Sequence, residues 1–188
     1  MIYGSEALPR LTAIEEQRYA RHLALPDFDV VAQQKLKAAK VLVVGAGGLG
    51  SPLLLYLAAA GVGKIGIVDF DTIDLSNLQR QILYTPEDLG KSKAQTAAQR
   101  IRALNPHVEV QVYETALNAD NALAIIAEYD LVADGTDNFP TRYLVNDACV
   151  LSGKVNVYAS IFRYEGQVSV FNFPLPDGKR GLNYRNLY

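Results

Sequence analysis

The sequence predicts an α/β fold: a mixed sheet with a parallel first half, antiparallel strands toward its C-terminal side, and helices on both faces. Two observations support this prediction. Short apolar runs alternate along the chain with longer segments of helical periodicity, which is typical of strand–helix–strand units with parallel strands. The first apolar run leads into a glycine cluster, and a helical segment follows that cluster at once.

The glycine cluster defines the expected ligand site. After a strand at 40–44, Gly45, Gly47 and Gly50 form the pattern G-x-G-x-x-G, and a helix is expected over 50–60. Glycine permits a positive φ and lets a ligand approach the backbone closely. The helix directs its free N–H groups and the positive end of its dipole at the loop, which favours a phosphate. The predicted fold is therefore Rossmann-like, with a nucleotide at this turn.

Polar residues follow the second predicted strand, at 64–69. Asp69 ends this strand 19 positions (69 − 50) after the last glycine of the cluster, about where a Rossmann unit places its ribose-binding carboxylate. The next loop adds further aspartates together with Ser76, Asn77 and Arg80. Because the carboxyl ends of parallel strands face the ligand crevice, we expect this loop to contact a ribose, a phosphate and a base edge. A merely solvated loop is the alternative.

The segment before the first strand, residues 1–39, is predicted to be an N-terminal helical arm. Thr12 opens a capping-box pattern, so a helix is expected to begin there, and a second helix is expected over 29–39. Arg18 and Arg21 are three residues apart and share one face of the first helix. A solvated basic face is the ordinary interpretation of such a pair.

The remaining segments complete the alternation and place the Rossmann-like domain over 40–188. Further helices are expected at 91–104, 118–128 and 139–151. Further strands are expected at 108–112, 130–134, 155–161 and 168–173. A hairpin turn over 164–167 would make the last two strands antiparallel.

Two charged residues are additional candidates for a phosphate site. Lys93 lies in the first turn of a helix, where a cation opposes the helix dipole, and such a local conflict is expected at functional positions. A snorkelling surface lysine is the alternative. Asp137 follows a strand and suits Mg²⁺, a cation that binds few carboxylates and shares substrate phosphates. Asp137 could instead, or in addition, cap the helix that Pro140 announces.

Composition excludes several classes of protein. Charged residues make up 20% of the 188 residues and the net charge is −2, so neither nucleic acid nor a membrane surface is expected as a partner. No apolar run is long enough to span a bilayer, and no secretory signal is visible. Cys149 is the only cysteine, so it forms no intrachain disulfide and is expected to be a buried packing residue. A reducing cytoplasm is the expected location.

Three classes of function are compatible with these residues. A nicotinamide-dependent oxidoreductase could use the glycine loop, but the only histidines, His22 and His107, lie far from the strand ends. A nucleotidyl-transfer enzyme that consumes ATP accounts for more residues, because Arg80 and Lys93 could neutralise a polyphosphate and Asp137 could hold a metal. The third class is a module that binds a nucleotide without catalysis.

Several motifs make the sequence resemble the E1-like adenylyltransferases of the ThiF and MoeB type, which activate ubiquitin-like sulfur-carrier proteins. The resemblance covers about residues 18–167. It rests on Arg-Tyr-Ala-Arg-His at 18–22, the glycine loop, Asp-Phe-Asp at 69–71, Leu-Ser-Asn-Leu-Gln-Arg-Gln at 75–81, Gly-Lys-Ser-Lys at 90–93 and Asp-Gly-Thr-Asp-Asn at 134–138. The glycine loop alone is a weak motif, whereas the strings at 76–81 and 134–138 are highly specific.

The resemblance implies a reaction and a set of site residues. The C-terminal glycine carboxylate of a carrier protein would attack the α-phosphate of ATP, giving an acyl-adenylate and pyrophosphate. Gly48 would let the nucleotide approach the backbone, Asp69 would bind the ribose, and Asp137 would coordinate Mg²⁺. The implied phosphate contacts are Asn77, Arg80 and Lys93. The wider nucleotide-binding set adds Gly45, Gly47, Gly50, Ser76 and Asn138.

The resemblance also implies a homodimer and leaves the carrier open. Arg21 would reach into the neighbouring subunit's site as an arginine finger, so the implied catalytic set is Arg21, Arg80, Lys93 and Asp137. The carrier could serve the molybdopterin pathway, the thiamine pathway or tRNA thiolation.

The sequence departs from the family pattern in two places. Many relatives carry a Cys-x-x-Cys zinc pair where this sequence has Asn183 and Asn186, so a zinc site is not expected here. Relatives also continue beyond the point where this sequence stops, with a crossover loop that carries a conjugating cysteine. We therefore expect the adenylation domain to be truncated at its C-terminal end.

Overall fold

The computed structural model describes residues 8–188, so the start of the predicted arm, residues 1–7, lies outside the described residues. Its strands are β1 (Lys40–Val44), β2 (Lys64–Val68), β3 (Glu109–Tyr113), β4 (Leu131–Asp134), β5 (Val155–Phe162) and β6 (Glu165–Phe171). Its α-helices are α1 (Ala13–Arg18), α2 (Ala20–Leu23), α3 (Val30–Ala38), α4 (Gly50–Ala60), α5 (Lys93–Leu104), α6 (Ala122–Ala127) and α7 (Phe139–Leu151). None of these helices is long and apolar enough to cross a membrane.

The strands form one mixed sheet with the order β3-β2-β1-β4-β5-β6. Strand β1 lies at the centre, where Val43 pairs in parallel with Ile67 of β2 and with Ala133 of β4. Strands β3 and β5 extend the parallel arrangement, and β6 alone runs antiparallel, beside β5. The predicted fold class is confirmed.

Helices cover both faces of the sheet, which explains the continuous apolar run of β1. Val41 and Val43 pack into a core cluster with α4 and α5, whereas Leu42 and Val44 pack into a second cluster with α6 and α7. A strand buried on both faces needs apolar side chains at consecutive positions rather than at alternate ones.

The hairpin between β5 and β6 is tighter than predicted. Phe162 pairs with Glu165, so only Arg163 and Tyr164 form the connection. Arg163 has a φ of 57°, the left-handed conformation that two-residue hairpin turns require. The predicted turn over 164–167 is therefore wrong, because Gly166 belongs to the strand.

The arm begins as predicted, but its first helix is interrupted. The backbone N–H of Glu15 donates to the Thr12 hydroxyl at 3.3 Å, and that of Thr12 donates to the Glu15 carboxylate at 2.7 Å, which completes the capping box. Tyr19 then separates α1 from α2. The Tyr19 ring is buried, and its hydroxyl accepts a hydrogen bond from Asn105 Nδ2 at 2.9 Å.

Polar contacts hold the arm against the C-terminal ends of α4 and α5. Asn105 follows α5 directly, and Gln33 of α3 donates to the carbonyl of Ala60, the last residue of α4, at 2.8 Å. In a βα unit the helix ends where the next strand begins, so the arm lies at the amino end of the parallel strands. The division into an arm over 1–39 and a domain over 40–188 stays a prediction.

Candidate active site

A crevice of about 590 Å³ opens at the carboxyl ends of β1, β2 and β4. Nine residues predicted for the site line it: Gly45, Gly47, Gly48, Asp69, Asn77, Arg80, Lys93, Asp137 and Asn138. These residues come from four separate stretches of the chain. The parallel topology brings the four stretches together, as expected for polar residues that follow strands.

The glycines of the loop serve two different purposes. Gly45 has a φ of 90°, a conformation that favours glycine, and its backbone N–H donates to the Val68 carbonyl at 2.8 Å. At Gly50 a Cβ atom would lie 1.9 Å from the Gly45 carbonyl oxygen. Gly50 does not line the crevice and packs closely against the Gly45 backbone, while its predicted ligand contact stays a prediction.

Asp69 is buried and joins the glycine loop to the loop after β2. Its carboxylate accepts backbone N–H groups from Ala46 at 2.7 Å and from Asp71 at 2.8 Å. Burial raises the pKa of the Asp69 carboxyl, while these N–H groups favour its ionised form. A carboxylate has about four lone-pair sites, so Asp69 can accept a further donor such as a ribose hydroxyl.

Lys93 is buried and paired. Its Nζ lies 2.9 Å from the Asp71 carboxylate, and its backbone N–H donates to the Asp71 carbonyl at 3.0 Å. The nearby carboxylate offsets the unfavourable position of a cation at a helix N-terminus. Because the side chain is only 7% exposed, the snorkelling alternative is wrong.

Arg80 is an exposed cation at the mouth of the crevice. Its stem covers Gly48, where a Cβ atom would lie 3.4 Å from its Cγ and Cδ atoms. Its Nη1 donates to the Ser76 carbonyl at 3.1 Å, and no carboxylate in residues 8–188 forms an ion pair with it. Ser76 itself does not line the crevice, and its backbone carbonyl supports Arg80, while its predicted nucleotide contact stays a prediction.

The sequence left open whether Asp137 binds a ligand or caps a helix, and the structure shows which residue is the cap. Asn138 caps α7, since its side-chain oxygen accepts from the Thr141 backbone N–H at 3.0 Å. The alternative that Asp137 caps this helix is therefore wrong. Asp137 is exposed and makes no hydrogen bond or ion pair with any residue that the structure describes. Its carboxylate is free to bind a ligand in the crevice.

Arg21 lies outside the crevice of its own chain. It is an exposed residue of α2, within the arm, and the arm lies at the opposite end of the sheet. Within the described residues Arg21 has no hydrogen-bond or ion-pair partner. It can therefore serve a site like this one only from a second chain.

Sequence reasoning missed three residues at the site. The buried Tyr84 hydroxyl donates to the carbonyls of Ala46 at 2.8 Å and Lys93 at 3.3 Å, which fastens the glycine loop to the start of α5. Gln81 and Arg142 line the crevice. A tyrosine in a polar loop is one signal that could have been noticed, because a buried Tyr hydroxyl usually has a partner.

The C-terminal turn uses its asparagines as hydrogen-bonding residues. The backbone N–H of Asn183 donates to Asn186 Oδ1 at 2.8 Å, and that of Arg185 donates to Asn183 Oδ1 at 3.0 Å. Both asparagine side chains are thus engaged within the turn. In residues 8–188 no three His, Cys, Asp or Glu side chains group as a metal site.

Cys149 is buried on α7, as predicted, and burial raises the pKa of its thiol to about 12. The thiolate is the reactive form, so native protein at pH 8 should react with iodoacetamide at least about 100-fold more slowly than a small thiol. Mass spectrometry of the alkylated protein over time measures this rate, with protein in guanidinium chloride as the control. Equal rates in the two samples would contradict the packing role.

The chain is similar in sequence to a known protein family and to several known proteins. Residues 19–187 match the model of the ThiF family. The chain is 57% identical over 183 residues to the "Probable adenylyltransferase/sulfurtransferase MoeZ" of Mycobacterium tuberculosis, covering 97% of this chain and 46% of the relative. It is 52% identical over 179 residues to the sulfur carrier protein adenylyltransferase of Thermus thermophilus, covering 95% of this chain and 66% of that protein.

A solved structure shares the fold. The Escherichia coli tRNA N6-threonylcarbamoyladenosine dehydratase TcdA, in complex with ATP, superposes with a TM-score of 0.71 at 30% identity, covering 76% of this chain and 58% of that chain. The chain spans about half the length of MoeZ.

Proposed function

Because the chain belongs to the ThiF family, we propose that it uses ATP to adenylylate the C-terminal carboxylate of a ubiquitin-like sulfur-carrier protein. The observation that carries the proposal is the crevice, in which a glycine loop, two cations and an unpartnered carboxylate, Asp137, are brought together. The name of the Thermus thermophilus relative and the ATP complex of TcdA support it.

In this proposal the nucleotide binds along the β1–β2 side of the crevice. The N-terminus of α4 and the glycine loop present N–H groups to the phosphates. Asp69 accepts the ribose hydroxyls, and Asn77 with Arg80 contacts the phosphates. Lys93 reaches the phosphates by sharing its ammonium between them and Asp71, which lies 2.9 Å away in the free chain.

The chemical step joins two anions. A carboxylate oxygen of the carrier attacks the α-phosphorus, a new P–O bond forms, and the bond to the β-phosphate oxygen breaks as pyrophosphate leaves. The attacking carboxylate is already ionised at pH 7, so no general base is needed. The cations Arg80 and Lys93 reduce the repulsion between the reactants and stabilise the charge on the departing pyrophosphate.

The crevice suits a magnesium ion. Asp137 offers a carboxylate that no described residue engages, and Mg²⁺ is commonly held by one or two carboxylates together with substrate phosphates. When bound, the ion neutralises phosphate charge at the reacting centre. Asp137 is the residue of this chain that would hold it.

A homodimer completes the site in this proposal. Arg21 projects from the arm without a partner in the described chain, so we assign it to the crevice of a neighbouring subunit. There it would add a third cation to the triphosphate, as arginine fingers do in other phosphoryl-transfer sites.

The test compares nucleotides and then carriers. Equilibrium dialysis of the full-length natural protein should give at least about 10-fold tighter binding of ATP with Mg²⁺ than of NAD, because the diphosphate of NAD offers these cations less negative charge than a triphosphate does. Tighter binding of NAD would favour the oxidoreductase alternative. Isotope exchange between ATP and pyrophosphate should require a carrier from the molybdopterin, thiamine or tRNA-thiolation pathway. Nucleotide binding without exchange for any of these carriers would identify a binding module.

A further inference from the structure

Arg142 is a buried cation on the wall of the crevice to which the proposed function gives no role. It lies in the first turns of α7, lines the crevice and is 9% exposed. Its Nε and Nη2 donate to the Thr136 carbonyl at 3.3 and 3.1 Å. Its guanidinium also lies over the rings of Phe139 and Tyr158, with centroids at 5.3 and 5.7 Å. The side chain is therefore held in one position.

The positive charge of Arg142 is not neutralised by an ion pair. No carboxylate in residues 8–188 lies within 4 Å of its guanidinium. The buried carboxylate of Asp134 bonds instead to the backbone N–H and hydroxyl of Thr136, at 3.0 and 2.6 Å. Asp134 and Arg142 attract one another through space, since burial raises the pKa of Asp134 and the charge of Arg142 acts against that rise, but no carboxylate bonds to the guanidinium. A buried cation without a bonded carboxylate, in the wall of a crevice, is suited to bind an anion that enters there.

The strand order indicates which anion this is. The loop after β2 lies on one side of β1. It contains Asp69 and Arg80, and its Asp71 pairs with Lys93. Arg142 and Asp137 come from the chain after β4, on the other side of β1. The β2 side is the side to which the proposed function assigns the nucleotide, so Arg142 on the β4 side is placed to meet the second anionic reactant.

We propose that Arg142 binds the C-terminal carboxylate of the carrier protein and holds it for attack on the nucleotide, an inference that rests on the proposed function. A guanidinium fork matches a carboxylate and can bind both of its oxygens. The Thr136 carbonyl and the two aromatic rings fix the direction of the fork before the carrier arrives. The exposed side chain of Ile161, at the same end of the crevice, offers an apolar contact for the tail.

The experiment varies the charge of residue 142 in the enzyme and the charge of the C-terminal group in the carrier. Full-length natural protein is saturated with α,β-methylene ATP, which prevents the reaction, and is titrated with a carrier that ends in a free carboxylate or in a carboxamide. Wild type should bind the carboxylate form about 10-fold more tightly, and Arg142→Gln should bind the two forms equally. Affinity for the ATP analogue should change less than about 3-fold, because Arg142 contacts the other reactant.

A matched control is Arg102→Gln. Arg102 also donates to a backbone carbonyl, that of Val110 at 2.8 Å, but it does not line the crevice. This variant should keep the preference for the carboxylate. If Arg142→Gln also keeps it, the proposal is wrong, even though carrier-dependent exchange by wild type would still support the proposed function. Absence of exchange in wild type with every carrier would instead refute the proposed function itself.

A second variant covers the case in which Arg142→Gln does not fold. Arg142→Lys keeps the charge but loses the fork, so it should raise the KM for the carrier about 10-fold and leave the KM for ATP unchanged. A raised KM for ATP with an unchanged KM for the carrier would overturn the assignment.

Discussion

Replacing Asp137 by alanine is expected to lower carrier-dependent ATP–pyrophosphate exchange by about 1,000-fold. The free energy of unfolding should stay within about 0.5 kcal/mol of the wild-type value. Both expectations follow from one observation: the side chain lines the crevice, yet it makes no bond with any described residue. The substitution therefore removes the proposed metal ligand and no structural contact. The exchange rate and a denaturant titration measure the two effects.

The control for Asp137 is another exposed aspartate. Asp120 precedes α6, lies outside the crevice and accepts no hydrogen bond through its side chain from the described residues. Asp120→Ala should exchange at the wild-type rate. Near-normal exchange by Asp137→Ala would contradict its assignment as the metal ligand.

Mixing two inactive variants should restore activity if the site is shared between chains. Arg21→Ala and Arg80→Ala should each lose about 1,000-fold or more in exchange, because each removes a cation that the proposed function assigns to the triphosphate. In a mixed dimer of the two variants, one site loses both cations and the other keeps both. With random assortment, an equimolar mixture should recover about a quarter of the wild-type activity.

A second mixture tests whether two residues of the same crevice fail to complement each other. Arg80 and Asp137 line the same crevice, so Arg80→Ala mixed with Asp137→Ala leaves every site defective and should stay inactive. If the mixture with Arg21→Ala also stays inactive while sedimentation shows mixed dimers, Arg21 does not cross the interface.

The sequence predicted those parts of the fold and site that depend on local pattern. The glycine cluster, the strand before it and the capping box at Thr12 follow from short-range sterics and hydrogen bonding, and they lie where expected. Lys93 was identified from its conflict with the helix dipole. Its partner Asp71 could not be assigned, because that pair joins residues 22 positions apart.

The errors and omissions concern contacts made at a distance. Tyr19 divides the first helix, and its side chain contacts Asn105, 86 positions away. Arg142 reaches the crevice because β4 lies beside β1 in the sheet, a neighbour relation that no local pattern indicates. Tertiary packing decides these cases, and single-sequence patterns do not contain it. The misplaced hairpin is a local exception, since its connection is Arg163 and Tyr164 and its left-handed residue is Arg163.

The arm is hydrogen-bonded to the C-terminal ends of α4 and α5, and the N-terminal ends of these two helices lie at the crevice. Helix α4 starts at the glycine cluster and ends beside Gln33, and α5 starts at Lys93 and ends beside Tyr19. At 1.5 Å per residue, each helix is a rigid rod of about 16–18 Å. The arm therefore keeps a fixed position relative to the start of each helix. In the proposed dimer, this attachment would present Arg21 to the neighbouring subunit at a defined distance from the arm's own crevice.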